Sequence, residues 1–87
     1  DIKIKYKVKG SEEQVVIRIY TSAFRLVKEI LFNKSKIVKY SDGFSEIVIN
    51  KNLIDEFSKG VYDYIIIAKN KDGVEIKSRI GKIVIMK

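Results

Sequence analysis

The 87-residue chain is 46% apolar and 33% charged with a net charge of +7, a composition that folds as a globular domain with one modest core and excludes a disordered chain. It has no cysteine and no histidine, so disulfides, thiolate zinc sites and any imidazole base are excluded. No apolar run is long enough to cross a bilayer and no secretory leader opens the chain, so no membrane span is expected. Of the 18 basic residues 15 are lysine, a bias that suits an AT-rich or thermophilic genome. They are spread along the chain rather than gathered with arginine and stacking aromatics, which argues for solvated lysine faces that guard strand edges and against nucleic acid. Proline is absent, as suits a chain of paired strands.

In chain order, Ile2 to Lys9 alternates without a break: Ile2, Ile4, Tyr6 and Val8 face one way, Lys3, Lys5, Lys7 and Lys9 the other. This predicts a half-buried strand with a lysine face, and those four lysines are the candidate contacts for a polyanion. Gly10–Glu13 reads as a turn. Gln14 to Tyr20 follows as a strand with Val15, Ile17 and Ile19 inward and Val16, Arg18 and Tyr20 outward. Thr21-Ser22-Ala23 is a short connection. Arg25 to Phe32 fits a helix face through Leu26 and Ile30, but its context favours a strand. Asn33–Lys36 is a polar turn, Ile37–Tyr40 a short strand broken by Ser41-Asp42-Gly43, and Phe44–Asn50 a strand with Ile47 and Ile49 on one face.

Asn50 or Asn52 then caps one helical turn through Leu53–Phe57, with Asp55 and Glu56 in its first turn, where the helix dipole favours negative charge. Gly60 launches the strand on which the domain centres, continuing to Lys69. Tyr62, Tyr64, Ile66 and Ala68 face inward and Asp63, Ile65, Ile67 and Lys69 outward. Asn70-Lys71-Asp72-Gly73 is a hairpin turn, so Val74 to Ile85 pairs antiparallel with this strand, with a bulge expected at Gly81. The architecture is therefore all-β: one sandwich over residues 1–87, with about seven short antiparallel strands and one helical turn.

Three stretches carry a resemblance: Ile4–Val8; Val15–Tyr20 continuing to Arg25-Leu26-Val27; and Gly60-Val61-Tyr62-Asp63-Tyr64 ending in Gly81–Ile85. Together they resemble the immunoglobulin-like domain of the flagellar hook-capping protein and the related C-terminal sorting domains of type IX-secreted bacterial proteins. The resemblance implies an immunoglobulin/fibronectin-like sandwich that closes a larger exported or cell-surface protein. It implies docking on a preceding domain or another envelope protein; the alternatives are a secretion address or a polysaccharide-binding module. Two positions depart from the family. Phe24 stands where glycine is frequent, implying a turn built differently, and Ile47-Val48-Ile49 replaces a common Trp-Asp-Gly.

Catalysis and cofactors are not expected. The carboxylates Asp42, Glu46, Asp55, Glu56, Asp63, Asp72 and Glu75 form no calcium-loop pattern, and the isolated glycines build no phosphate cradle. Tyr20 and Tyr40 are candidates for a sugar platform. The candidate interaction patch is Ile65, Ile67, Val16 and Tyr20, outward on alternation. Two outcomes stay open for it: an exposed docking surface, or cover by the helical turn Leu53–Phe57.

Overall fold

The computed structural model describes residues 1–8, 12–78 and 80–86. Among them are eight strands: β1 Ile2–Lys7, β2 Gln14–Thr21, β3 Leu26–Asn33, β4 Val38–Lys39, β5 Phe44–Ile49, β6 Gly60–Lys69, β7 Glu75–Lys77 and β8 Gly81–Ile85. A 3₁₀ turn, Lys34–Lys36, follows β3, and a short helix, α1 (Lys51–Ile54), follows β5. The strands form two antiparallel sheets, β1-β5-β4 and β3-β2-β6 with both β7 and β8 on the far side of β6. An all-β sandwich results. No helix among the described residues is long and apolar enough to cross a membrane.

β6 is the centre of the larger sheet. From Tyr62 to Lys69 it pairs on one side with β2, from Tyr62↔Thr21 to Lys69↔Gln14. On the other side β8 takes the first half and β7 the second. The count is eight rather than seven because the last expected strand is divided into β7 and β8. Ser78 bridges the gap: its amide donates to the Ile66 carbonyl at 2.8 Å, and its hydroxyl accepts the Ile66 amide at 3.0 Å. The interruption therefore precedes Gly81, where a bulge was expected. Gly81 itself lies in register opposite Tyr64, and its missing side chain is what lets the Tyr64 ring lie over the backbone.

The core is the inward set of each strand: Ile4 and Tyr6 of β1, Ile47 and Ile49 of β5, Val15, Ile17 and Ile19 of β2, and Tyr62, Ile66 and Ala68 of β6, closed by Ile83 and Ile85. Alternation groups them on one face of each strand; in β1 the opposite face is all lysine, which leaves one face to bury. Asn50 is the helix N-cap, accepting the Leu53 amide on Oδ1 at 3.1 Å. The helix begins at Lys51, so Asp55 is its C-cap and neither Asp55 nor Glu56 lies in the first turn. The capping asparagine sits two residues earlier than the one, Asn52, that would put the acidic pair in the first turn. Glu56 instead pairs with Lys28 at 3.5 Å. Below the helix Phe57 packs on Tyr62, ring centroids 5.3 Å apart, and the Tyr62 hydroxyl donates to the Ser58 carbonyl at 2.7 Å.

Two turns complete the frame. Asn70–Gly73 is the expected hairpin turn: Asn70 Oδ1 accepts the Asp72 and Val74 amides, each at 3.0 Å, and Gly73 takes φ +84°. Between β2 and β3, Phe24 takes φ +63°, the left-handed conformation glycine supplies freely. The turn is thus not rerouted to suit phenylalanine. Its hydrogen bonds, Phe24 amide to Thr21 carbonyl at 2.9 Å and Thr21 amide to Arg25 carbonyl at 2.8 Å, hold the residue there. Its ring is 72% exposed.

Candidate functional site

The outer face of the five-stranded sheet is the most unusual surface of the molecule. Strand pairing sets its residues in rows. Leu31, Val16 and Ile67 are direct neighbours across β3, β2 and β6; Glu29, Arg18 and Ile65 form the next row; Leu26, Tyr20, Asp63 and Lys82 the next. Val61 and Val84 stand opposite each other beyond. Leu31 and Val84 are 55% and 57% exposed, and Leu26, Val27 and Val61 are exposed as well. The polar members are matched pairs: Arg18 Nε donates to Glu29 at 2.7 Å and Lys82 Nζ to Asp63 at 2.9 Å.

Of the expected patch, Val16, Tyr20 and Ile65 are half-buried on this face. Ile67 points the same way but is only 6% exposed. It forms the floor of a shallow pit rimmed by Gln14, Val16, Arg18, Glu29, Lys69 and Glu75, whose longer side chains shield it. The helical turn does not do so. Phe57, Leu53 and Ile54 pack into the core with Tyr62, on the opposite face of β6. The patch is therefore wider than alternation within β2 and β6 indicated, because register adds Leu26 and Leu31 from β3 and Val84 from β8. Leu31 carried a readable signal, the outward parity of β3, whereas Leu26 is set opposite Tyr20 only by the register shift between Ile19 and Tyr20.

The outer face of the three-stranded sheet gathers the lysines. Lys5 Nζ sits 4.5 Å from the Tyr40 ring centre and 5.4 Å from that of Phe44; Lys7 Nζ is also 5.4 Å from Phe44. Lys3 continues the row, and Lys9 lies outside the described residues. Tyr40 and Tyr20 are on different sheets and form no common platform. The ring of Tyr40 is occupied by Lys5, and Asp42 and Glu46 stand close to its hydroxyl, which burial and these carboxylates hold above its ordinary pKa. This arrangement reads as cross-strand packing of lysine stems on aromatic faces.

A buried polar cluster sits where the sheets meet. Glu12, 2% exposed, accepts the Ser45 hydroxyl at 2.7 Å and pairs with Lys39 Nζ at 3.0 Å. Tyr6 faces Ser45 across the β1–β5 ladder. The Tyr6 hydroxyl and the second Glu12 oxygen have no hydrogen-bond partner among the described residues. Burial, and secondarily the Glu12 charge, push the Tyr6 hydroxyl pKa far up, against a smaller lowering by the neighbouring Ser45 hydroxyl. Adjacent Glu12 and Glu13 look alike in sequence; only Ser45, polar at an inward position of β5, hinted at the cluster.

The remaining carboxylates are structural or solvated. Asp42 Oδ1 accepts the Phe44 amide at 3.0 Å, Glu46 lies opposite Lys5, Asp72 lies in the hairpin turn and Glu75 is exposed on β7. Among the described residues no three acidic side chains group as metal ligands. Comparisons with protein-family models, with curated proteins and with solved structures returned no match.

Proposed function

We propose that this domain is a non-catalytic association module that docks through the outer face of its five-stranded sheet. The observation that carries the reading is the apolar pair Leu31–Val16 across β3 and β2, with Ile67 beneath it, together with Ile65, Tyr20, Leu26, Val61 and Val84 on the side of the sheet away from the core. Scattered surface aliphatics are ordinary; apolar side chains gathered on one sheet face mark an interaction surface. Burying any one of the exposed aliphatics completely contributes about 1.5–3 kcal/mol. The molecule measures 36 × 23 × 19 Å, so one sheet face is commensurate with the ~800 Å² per partner of a standard interface.

The partner the face suits is a second copy. Its charges come as Arg18 with Glu29 and Lys82 with Asp63, one of each sign per pair, and a two-fold arrangement can set each pair against its opposite. The exported, cell-surface setting is supported by the resemblance of the Gly60–Tyr64 and Gly81–Ile85 segments to sorting and hook-capping domains.

Sedimentation across a wide concentration range tests association. The wild-type mass should rise above 10.1 kDa as concentration increases, and Leu31→Lys with Val84→Lys should keep the protein monomeric with unchanged melting. A wild-type chain that stays monomeric throughout, or a double variant that associates equally well, would overturn this reading.

A further inference from the structure

We propose that the open side of the sandwich between β1 and β8 accepts an extended acidic segment of a partner polypeptide as an added strand. This site adjoins the outer face discussed above at Lys82 and Val84 and rests on independent observations. Among the described residues β1 pairs only with β5, and β8 only with β6. Each therefore presents one edge of unpaired amides and carbonyls, a template for another strand. The two edges face each other across two clefts of ≈ 260 and ≈ 440 Å³, which meet at Lys5 and Tyr64 to make one groove along β1. As β1 runs from Ile2 to Lys7, the facing wall runs from Val84 back to Lys77. Apolar side chains line its depth: Ile4 and Ile83 are buried, Ile2 and Tyr64 partly so, and Ile80 is exposed on the rim.

The charge of the groove selects the occupant. β1 contributes Lys3, Lys5 and Lys7 and the facing wall Lys77 and Lys82. Lys82 is held by Asp63, and Lys5 lies 4.0 Å from Asp42 with Glu46 opposite in register. Lys3, Lys7 and Lys77 have no carboxylate partner among the described residues. A strand laid along β1 would set its outward side chains directly beside Lys3, Lys5 and Lys7, where acidic residues are favoured and basic ones repelled. Its inward side chains would enter the groove between Ile2, Ile4 and Ile83, where apolar residues fit. A second copy of β1 is disfavoured at this edge, because lysines would then stand beside lysines. The ligand is thus an extended segment of alternating acidic and apolar residues, bound by main-chain pairing with side-chain selection.

The test uses a fluorescently labelled peptide of alternating glutamate and valine, about as long as β1, with the lysine–valine counterpart as control. Anisotropy should show binding of the acidic peptide alone, weakening as salt rises. Lys3→Glu with Lys7→Glu should lower affinity about tenfold or more, while Leu31→Lys, on the outer face and away from the groove, leaves it unchanged. Amide exchange should slow at the free edge of β1 when the peptide binds, a reading on the wild-type protein that does not depend on any variant folding. Equal binding of both peptides, no binding of the acidic one, or protection confined to β3 would overturn the proposal.

Discussion

Replacing Tyr6 by phenylalanine should stabilise this protein. The ring is buried between the sheets, but its hydroxyl makes no hydrogen bond of good geometry among the described residues: the neighbouring Ser45 hydroxyl donates to Glu12, whose buried carboxylate lies near. An unpaired hydroxyl in the interior costs about 1–3 kcal/mol by protein mutational data. Tyr6→Phe keeps the ring and its packing and removes that cost, so a gain of about 1 kcal/mol is expected, or ~4–8 °C in melting temperature for a domain of this size. The effect has a pH signature. The Tyr6 pKa is raised in the folded state by burial first and by Glu12 second, so the folded protein retains the proton that the unfolded chain releases. The resulting contribution is intact below the ordinary tyrosine pKa of about 10 and declines as pH rises through and beyond it. Urea titrations of both proteins from neutral to alkaline pH should therefore show the phenylalanine variant ahead, with a lead that widens above pH ~10. A variant less stable by ~1 kcal/mol or more would mean that the hydroxyl is bonded after all, and a lead that stays constant in alkali would refute the electrostatic argument.

Three further outcomes follow from the packing. Tyr62→Ala removes a buried ring stacked against Phe57 and should cost ~3–5 kcal/mol in denaturant, against less than ~0.5 for Lys5→Ala on the solvated face; similar costs would invert the assignment of inside and outside. Gly81→Ala places a methyl group into the space of the Tyr64 ring and should cost ~1–3 kcal/mol, measured as a lower urea midpoint and absent in the Tyr64→Ala background. Phe24→Gly relieves a left-handed phenylalanine and should raise stability by about 0.5–1 kcal/mol after the entropy of glycine is deducted; unchanged or lowered melting would show that the turn carries no strain.

Much of this fold is legible in residue order: alternation is faultless in β1, whose lysine face leaves no choice of which side to bury, and in β2 and β6 the same period orders the inward set although both faces carry apolar residues. The hairpin turn at Asn70–Gly73 is equally readable, since its asparagine and glycine supply the acceptor and the positive φ it needs. What escaped depends on neighbours that the chain order does not name. Ile67 is covered by long side chains from β2, β3 and β7, which only the register brings around it. Glu12 is buried while Glu13 is not, because Ser45 and Lys39, more than 20 residues away, converge on it alone. Asp55 and Glu56 read as first-turn residues because two asparagines competed as cap. The split of the last strand at Ser78 is a side-chain substitution for a ladder bond, invisible to a hydrophobic pattern. The candidate docking face follows the same rule: alternation shows which residues point outward, but contiguity is a property of pairing.

The most direct measurement of the association claim is a concentration series of amide and methyl correlation spectra of the unmodified protein. Self-docking through the five-stranded sheet predicts shifts that grow with concentration at Leu31, Val16, Ile65, Tyr20, Val61 and Val84, with β1 and β5 unmoved. Shifts confined to the three-stranded sheet, or spectra identical at every concentration, would contradict it.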